Sequence, residues 1–403
     1  MLHISEPPAA VPRIALWQLG FRPFFLAAGL FAVLGTALWT ALYSFQWQGL
    51  PNAYPAMTWH AHEMIFAYAL AVIAGFLLTA VKNWTGMQTL QGSALAVLIG
   101  VWLIARCLPF TGLPFGWTAL VDLLFLAGLL IAVARPIILA KQWAQAGIVA
   151  KLCLLLVANS VFYLGLLGYW LLGSILGLYF AFYLVLALIL TMGRRVIPFF
   201  IEKGIGVPFV ARNYVWLDRA SLVLFLVFAL LDLTVMATGN KLLVYLVAAL
   251  ALIQVVLHSI RLWGWYHPLI WRKSLLWVLY LAYVWLVLGF VLKFISLIWG
   301  ISPWLAIHAF AYGGIGMMTL GMMARVSLGH TGRDVANPPA ILHALFALLW
   351  LGTVIRVFFV WWLPSTQAVW ILAAQFLWIA AFAGFVWIYF PIWLRPRVDG
   401  RAG

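Results

Sequence analysis

The stretch TWHAHEMIFAYALAVIAGFLLTAV, residues 58–81, begins with ionisable side chains and continues as a largely apolar run. About 20 apolar residues are enough to cross the hydrocarbon core of a bilayer as a helix. The stretch therefore predicts a membrane-spanning helix with His60, His62 and Glu63 at one end. Ionisable side chains at that depth are costly and usually functional, so this end of the helix is the first candidate for a site.

The composition of the whole chain supports the same interpretation. Apolar residues make up 67 % of the 403 residues and charged residues only 8 %, and a soluble domain would have to expose much of that apolar surface. The sequence therefore predicts an all-α, polytopic protein embedded in the lipid bilayer. The excess of 23 basic over 8 acidic residues then reflects membrane topology, and we expect no nucleic acid partner.

Twelve stretches are long and apolar enough to span a membrane. The connections between them are short, so a single integral-membrane domain over residues 1–403 is expected. The longest connection would join two halves, residues 1–200 and 213–403, on the cytoplasmic side. The predicted spans start near Phe24, His60, Gly92, Gly116, Val149, Leu171, Trp216, Lys241, Ser274, Pro303, Pro339 and Gln367.

The distribution of Lys and Arg predicts the orientation. With an even number of spans both termini lie on one side, and if that side is the cytoplasm, 19 of the 23 basic residues fall in cytoplasmic segments. Because Lys and Arg collect in cytoplasmic loops, both termini are predicted to be cytoplasmic. The proline-rich N-terminal lead shows no signal-peptide pattern. The exceptions to the basic asymmetry are Arg106, Lys241 and Lys293 on the opposite, outer side and Arg356 within a span.

Seven histidines separate by depth in these spans. His308 and His330 are 22 residues apart in the tenth span, roughly 33 Å along a helix, so one metal cannot bind both. On the second span Glu63 shares a face with His60, while His62 points about 200° away from His60. Either one of these two histidines precedes the first helical turn, or the two serve different centres. The outer group is His60, His62 and His308, and the inner group is His258, His267, His330 and His343.

The outer group predicts a metal site. Imidazole is a ligand for copper, iron and zinc, so His60, His62 and His308 are candidate ligands. His308 is the candidate haem ligand, and His60 and His62 would bind a second metal or the opposite haem face. Glu63 is placed to carry a proton to such a centre. The alternative is that these residues flank or line the spans without binding a metal.

Other residues at similar depth fit a haem. Arg106 and Arg356 would pair with its propionates, or they would neutralise Glu63 and Asp122 instead. A glycine stripe in the tenth span would let a flat macrocycle approach, although such stripes also serve close helix packing. The stripe consists of Gly313, Gly314, Gly316 and Gly321.

A second haem site on the inner side is a further hypothesis. His258 shares a helix face with Gln254, His343 begins the eleventh span, and His330 lies in a basic segment. The competing interpretation is a basic cytoplasmic loop with hydrogen-bonded histidines.

Several long motifs resemble the NnrS family of bacterial inner-membrane proteins. They are ALWQLGFRPFFLAAGLFAVL, WHAHEM with AVIAGFLLTAVKNWTG, GRRVIPFF, and HAFAYGGIGMMTLGMMARVSLGHTGR. The resemblance implies a haem- and copper-containing protein of nitric oxide metabolism and nitrosative stress. Tyr280, and with it Tyr163, departs from the pattern where the resemblance leads us to expect histidine. The residues that the resemblance implicates are His60, His62, Glu63, Arg194, His308 and His330.

The function predicted from these features is the binding of nitric oxide, with its reduction or detoxification, at an outer-side haem–metal centre in the bacterial inner membrane. The expected cofactors are one or two haem b groups with copper or non-haem iron. A membrane quinol or a small cytochrome would donate electrons. Two alternatives stay open: a sensor or metal and iron-nitrosyl handling protein without turnover, and a transporter.

Overall fold

The computed structural model describes residues 14–51 and 54–401, and within these ranges the regular structure is helical. The proline-rich N-terminal lead and Arg13 lie outside the described residues. Twelve helical segments are long and apolar enough to cross a membrane, which makes the chain a multi-pass membrane protein. These segments are α1 (Phe21–Ser44), α2 (Ala56–Thr85), α3 (Gly92–Phe110), α4 (Phe115–Leu139), α5 (Trp143–Leu166), α6 (Gly173–Gly204), α7 (Val215–Thr238), α8 (Lys241–Trp265), α9 (Ser274–Trp299), α10 (Pro303–His330), α11 (Leu342–Trp362) and α12 (Pro364–Leu394).

The prediction of an all-α protein with twelve spans is confirmed. Each observed helix begins within six residues of its predicted start, because a bilayer-length apolar run has few other ways to satisfy its backbone hydrogen bonds. Two tight connections use glycine where the backbone turns. Gly239 and Gly300 follow α7 and α9 in the left-handed conformation, with φ of 65° and 68°, which costs glycine little.

Burial separates central helices from peripheral ones. Most of α2, α6, α9 and α10 is buried against other helices, whereas α3, α7, α8 and α11 leave most of their surface exposed toward the surrounding lipid. Buried polar side chains of α2 and α10, such as His62, Glu63 and Thr319, therefore face protein rather than hydrocarbon. This is the only environment in which ionised groups at membrane depth are tolerated at moderate cost.

The two ends of the described chain lie side by side. The backbone N–H of Ala15 donates to the carbonyl of Leu394 at 2.8 Å. The Arg22 guanidinium, fully buried, donates to the carbonyls of Trp393 at 2.9 Å and Arg395 at 2.8 Å. Both ends of the bundle's chain are thus on one face, as an even number of spans requires. We call this the inner end and the opposite one the outer end, following the predicted orientation.

The proposed halves are in direct contact. α1 packs against α12, and the Tyr68 hydroxyl of α2 is hydrogen-bonded to Thr319 of α10. The larger of two hydrophobic clusters thus includes residues from both halves. The division at residues 200 and 213 stays a prediction.

The orientation can be tested with reporter fusions. A fluorescent protein fused after Gly403 should fluoresce, because the C-terminus is predicted to be cytoplasmic. Alkaline phosphatase inserted in the loop after Thr111, at the outer end, should be active. The opposite pair of results would contradict the predicted orientation.

Candidate functional site

The outer end of α2 carries a buried histidine with both ring nitrogens engaged. His62 Nδ1 lies 2.9 Å from Glu63 Oε1, and its Nε2 lies 3.0 Å from Asn159 Oδ1 of α5. The Asn159 amide nitrogen donates to Asp122 at 2.9 Å, which fixes its oxygen toward His62. Both neighbours of the His62 ring offer acceptor oxygens, so the ring donates from both nitrogens when it is protonated.

Arg106 of α3 connects two carboxylates in the same network. Its Nη1 donates to Glu63 Oε2 at 2.8 Å, and its Nη2 is paired with Asp122 of α4. Two tyrosine hydroxyls complete the network: Tyr163 donates to Asp122 at 3.0 Å and Tyr54 to Glu63 at 3.4 Å. Arg106 thus neutralises the two acids, which was the alternative to a propionate contact. All four oxygens of the acids have donors.

The four ionised groups balance. Glu63 and Asp122 carry negative charges and Arg106 a positive one, so the buried network is neutral when His62 is protonated. A buried network of this kind is tolerated only while every member is paired. We call it the outer network; it joins α2, α3, α4 and α5.

Tyr54 lies just before α2 and is almost completely buried. Its burial, together with the neighbouring charge of Glu63, raises the pKa of Tyr54 well above its ordinary value. The phenol therefore stays protonated and acts as a hydrogen-bond donor to the network.

A second group of side chains lies on the other face of α2. His60 stacks on Trp39 of α1, with ring centroids 4.2 Å apart and planes 10° from parallel. His308 of α10 donates from Nδ1 to the carbonyl of Trp304 at 2.7 Å. In the neutral ring this hydrogen bond leaves the lone pair on Nε2, which is the form that binds metals.

Arg356 of α11 belongs to this second group. His60, His308 and Arg356 are close enough to influence one another electrostatically. Among the residues that the structure describes, the half-buried Arg356 guanidinium forms no hydrogen bond or ion pair. We call His60, His308 and Arg356 the outer cluster, and its free donor suits an anionic group.

Four π-helical segments surround these residues. Each is at the outer half of its helix, and each contains or adjoins a residue of the site. π-Helical turns are uncommon and occur frequently at functional sites, because the extra residue rotates the side chains that follow. The segments are Thr40–Ser44 after Trp39, Glu63–Ala69 after His62, Ala309–Gly316 after His308, and Ile355–Phe359 around Arg356.

The glycine stripe of α10 serves close packing. A methyl group added at Gly313 would collide with Trp285, and one added at Gly316 would collide with Trp378. These tryptophans already occupy the space that the sequence left open for a macrocycle. The structure therefore supports close helix packing, and not a haem-facing surface, as the role of the stripe.

A second buried network joins α6, α7, α8 and α9. His258 Nδ1 accepts from Arg261 at 3.1 Å and from the Tyr283 hydroxyl at 2.7 Å. Nε2 therefore carries the proton in the neutral ring, and it has no partner in the described part of the chain. The free nitrogen of His258 is a donor, in contrast to that of His308. The neighbouring Gln254 also has an unpaired, buried oxygen.

Arg194 of α6 is part of this inner network. Its Nη1 pairs with Asp218 Oδ2 at 2.8 Å, and Arg261 pairs with Asp218 Oδ1 at the same distance. Arg194, predicted as a cofactor residue, is thus held by a carboxylate of α7 and brought together with His258.

His330 and His343 lie elsewhere at the inner end. His330 lines a cavity of about 240 Å³ between α2, α6 and α10, together with Arg195 and Trp84. His343 accepts a hydrogen bond from the Trp277 indole at 3.2 Å near the surface. α10 is continuous over Pro303–His330, so His308 and His330 are at opposite ends of one helix.

The structure separates His62 from His60 and His308. Within residues 14–51 and 54–401, no three His, Cys, Asp or Glu side chains are grouped to hold a metal ion. His60 and His62 are two residues apart on α2, so His60 lies in the outer cluster and His62 in the outer network, which is the case of two histidines in different places. The metal-binding roles of these residues stay predictions.

Several network residues were not identified from the sequence. Asn159 and Arg261 lie inside otherwise apolar spans, and a polar side chain at that depth was the available signal. Tyr283 and Tyr54 gave no comparable signal, because tyrosine is common in membrane helices without a polar role.

The twelve spans and the polar groups buried between them define a multi-pass membrane protein with ionised residues at membrane depth. A family model described as NnrS protein matches residues 15–397. The chain therefore belongs to the NnrS family, which links it to the nitric oxide response. No curated protein matches the chain.

Removing one charge from the outer network should be strongly destabilising. Arg106→Gln leaves two buried carboxylates with one cation, and breaking a buried ion pair in this way costs about 3–5 kcal/mol. The free energy of unfolding can be measured by denaturant titration in detergent micelles. The double variant R106Q/D122N should lose less than the sum of the single variants, because it removes the unpaired acid as well.

The matched control is Arg397→Gln, which breaks the exposed pair with Asp399 and should change stability far less. Additive effects in the double variant, or a loss at Arg397 equal to that at Arg106, would contradict a coupled buried network.

Proposed function

We propose that the protein binds nitric oxide at a redox metal centre in the outer cluster. The single observation that carries this proposal is the His308 ring. Its Nδ1 donates to the Trp304 carbonyl, and no protein donor contacts the lone pair on its Nε2. Metal-binding histidines commonly show this arrangement, in which a backbone carbonyl fixes the ring and its tautomer.

The residues around His308 fit haem b or copper. His60 offers a second imidazole, held by its stack on Trp39, and imidazole suits both copper and haem iron. The unpaired Arg356 guanidinium is suited to an anionic substituent such as a haem propionate. A bound haem or copper ion would supply the nitric oxide coordination and the one-electron chemistry that amino acid side chains lack.

The protein itself contributes to nitric oxide binding by fixing the positions of two imidazoles. Nitric oxide is small and apolar and concentrates in lipid, so a half-buried site at membrane depth is accessible to it from the bilayer. The outer network fixes the first turns of α2 through His62 and Glu63, and thereby fixes His60 two residues earlier. Because His308 is held by its own backbone turn, the two imidazoles have restricted orientations before any ligand arrives.

Reduction of two nitric oxide molecules to nitrous oxide and water takes up two electrons and two protons. We propose a quinol or a small cytochrome as the electron donor and Glu63 as the proton carrier. His62 holds a proton on Nδ1, 2.9 Å from Glu63 Oε1, so a proton can move between these atoms without a change of backbone. Protons from water at the outer end would replace those given up by His62 and Glu63, while Tyr54 stays protonated and donates a hydrogen bond of 3.4 Å to the same Glu63 oxygen.

The inner histidines support this chemistry less well. His258 would have to exchange its tautomer, and so lose a hydrogen bond from Arg261, before Nε2 could bind a metal. We therefore place the proposed centre at the outer end only.

Substitution of the proposed ligand should abolish the metal spectrum. The His308→Ala variant, purified in detergent, should lose or shift the metal-dependent absorption band and its response to anaerobic nitric oxide. His330→Ala, at the far end of the same helix, should keep both. The measurements are metal analysis and reduced-minus-oxidised spectra of each variant. An equal loss in the two variants, or no loss in His308→Ala, would refute the assignment of His308.

Turnover can be separated from binding with Glu63→Gln. The fraction of this variant that folds should keep the metal spectrum but form nitrous oxide several-fold more slowly per metal centre, because the proton carrier is lost. The measurement is nitrous oxide released by the reduced protein under anaerobic conditions. A wild-type protein that binds nitric oxide and releases no nitrous oxide would favour the sensor or metal-handling alternative. Unchanged turnover in Glu63→Gln would exclude Glu63 as the obligatory carrier.

A further inference from the structure

A cavity of about 240 Å³ lies at the inner end, away from the proposed metal centre. It is formed where α6 ends, α9 begins and α10 continues into the segment after it. Its wall combines cationic and polar side chains with apolar ones. The polar ones are Lys203, Lys273, Ser274, Arg325 and Asp334, and the rest of the wall is Gly204, Leu275, Leu276, Val335, Ala336 and Pro338.

The N-terminus of α9 opens into this cavity. α9 has 26 residues and begins at Ser274, and the preceding Lys273 provides no side-chain cap. The first hydrogen bonds of the helix run from the amides of Leu276 and Trp277 to the carbonyl of Lys273. The amides before these are left as donors, and the helix dipole favours negative charge at this end.

An unpaired hydroxyl lies at the same place. The Ser274 side chain is 1 % exposed, and its Oγ has no hydrogen-bond partner among the residues that the structure describes. A buried polar atom without a partner is costly. Since Ser274 lines the cavity, a ligand oxygen there would satisfy it. This observation is independent of the helix terminus and points to a bound molecule.

The cations around the cavity are not neutralised by carboxylates. Arg325 lies over the Phe200 ring, 3.9 Å from its centroid, and Lys273 donates to the Ala336 carbonyl at 3.3 Å. In the described ranges, neither these two nor Lys203 forms an ion pair. A net positive charge therefore faces the cavity.

Asp334 is the one acidic side chain on the wall of the cavity. Its oxygens accept from the Asn337 amide and the Ala336 backbone, both at 2.7 Å. These hydrogen bonds lower the pKa of Asp334 and engage both of its oxygens within its own segment. Lys203, Lys273 and Arg325 carry three positive charges and Asp334 one negative charge, so the wall of the cavity has two positive charges in excess.

We propose that this cavity binds a phosphate group, carried either by an anionic phospholipid or by a soluble phosphate compound. A phosphate has several acceptor oxygens in a tetrahedral arrangement, so Ser274 Oγ, the free amides of α9 and the flanking cations can all donate to one group. A neutral or cationic head group would leave the excess positive charge unpaired. This site is separate from the proposed nitric oxide centre and does not depend on it.

The test uses the full-length protein in detergent micelles, titrated calorimetrically with three probes. These are inorganic phosphate, dioctanoyl phosphatidylglycerol, and dioctanoyl phosphatidylcholine as the zwitterionic comparison. We expect saturable binding of phosphate, phosphatidylglycerol or both. If only the lipid binds, the natural source is a membrane phospholipid; if only phosphate binds, the source is soluble. Binding of neither, or equal binding of phosphatidylcholine and phosphatidylglycerol, would overturn the proposal.

Two variants locate the binding. Ser274→Ala and Lys203→Gln should each weaken binding by about tenfold, the effect expected from losing one hydrogen bond to a charged group. Lys203 is exposed, so its variant remains usable if Ser274→Ala does not fold. The matched control is Lys241→Gln at the start of α8, where the Asn240 side chain already accepts from the first amides. Unchanged affinity in both test variants, or an equal loss in the control, would overturn the assignment of this cavity.

Discussion

An ionised group at membrane depth must find its opposite charge within the protein, and the rest of this structure depends on that requirement. Glu63, Asp122, Arg106 and His62 come from three different helices and cancel one another at the outer end. Each helix supplies a charge that another helix neutralises, so the relative positions of α2, α3 and α4 are fixed by electrostatics as well as by packing. At the inner end, Asp218 of α7 likewise forms ion pairs with Arg194 of α6 and Arg261 of α8.

The histidines show how one contact decides the chemistry of an imidazole. His308 donates from one nitrogen to a carbonyl, so its other nitrogen offers a lone pair. His258 accepts at the corresponding nitrogen from Arg261, so its other nitrogen offers a proton. His62 donates from both and offers neither. Three histidines at membrane depth thereby differ: one is a candidate metal ligand, one a hydrogen-bond donor, and one is engaged at both nitrogens by the surrounding network.

The sequence was informative about depth and less so about partners. Apolar length located all twelve helices, and counting along them placed His60 and His308 at one level. The 200° separation of His60 and His62 also allowed two centres. What could not be predicted was which helix faces each histidine, because that depends on the packing of spans distant in sequence. Asn159 is 97 residues from His62, and no local periodicity indicates such a contact.

The neutrality of the outer network has a consequence for biosynthesis. Glu63, Arg106 and Asp122 emerge from the ribosome on three successive hydrophobic segments, and each alone would oppose partition of its segment into lipid by about 2.5–3.5 kcal/mol if placed at the centre. The penalty falls once the segments meet. Insertion is therefore favoured when α2, α3 and α4 remain together at the translocation channel and enter the bilayer as a group. A charge-changing substitution here would act first on the yield of inserted protein, before any ligand is bound.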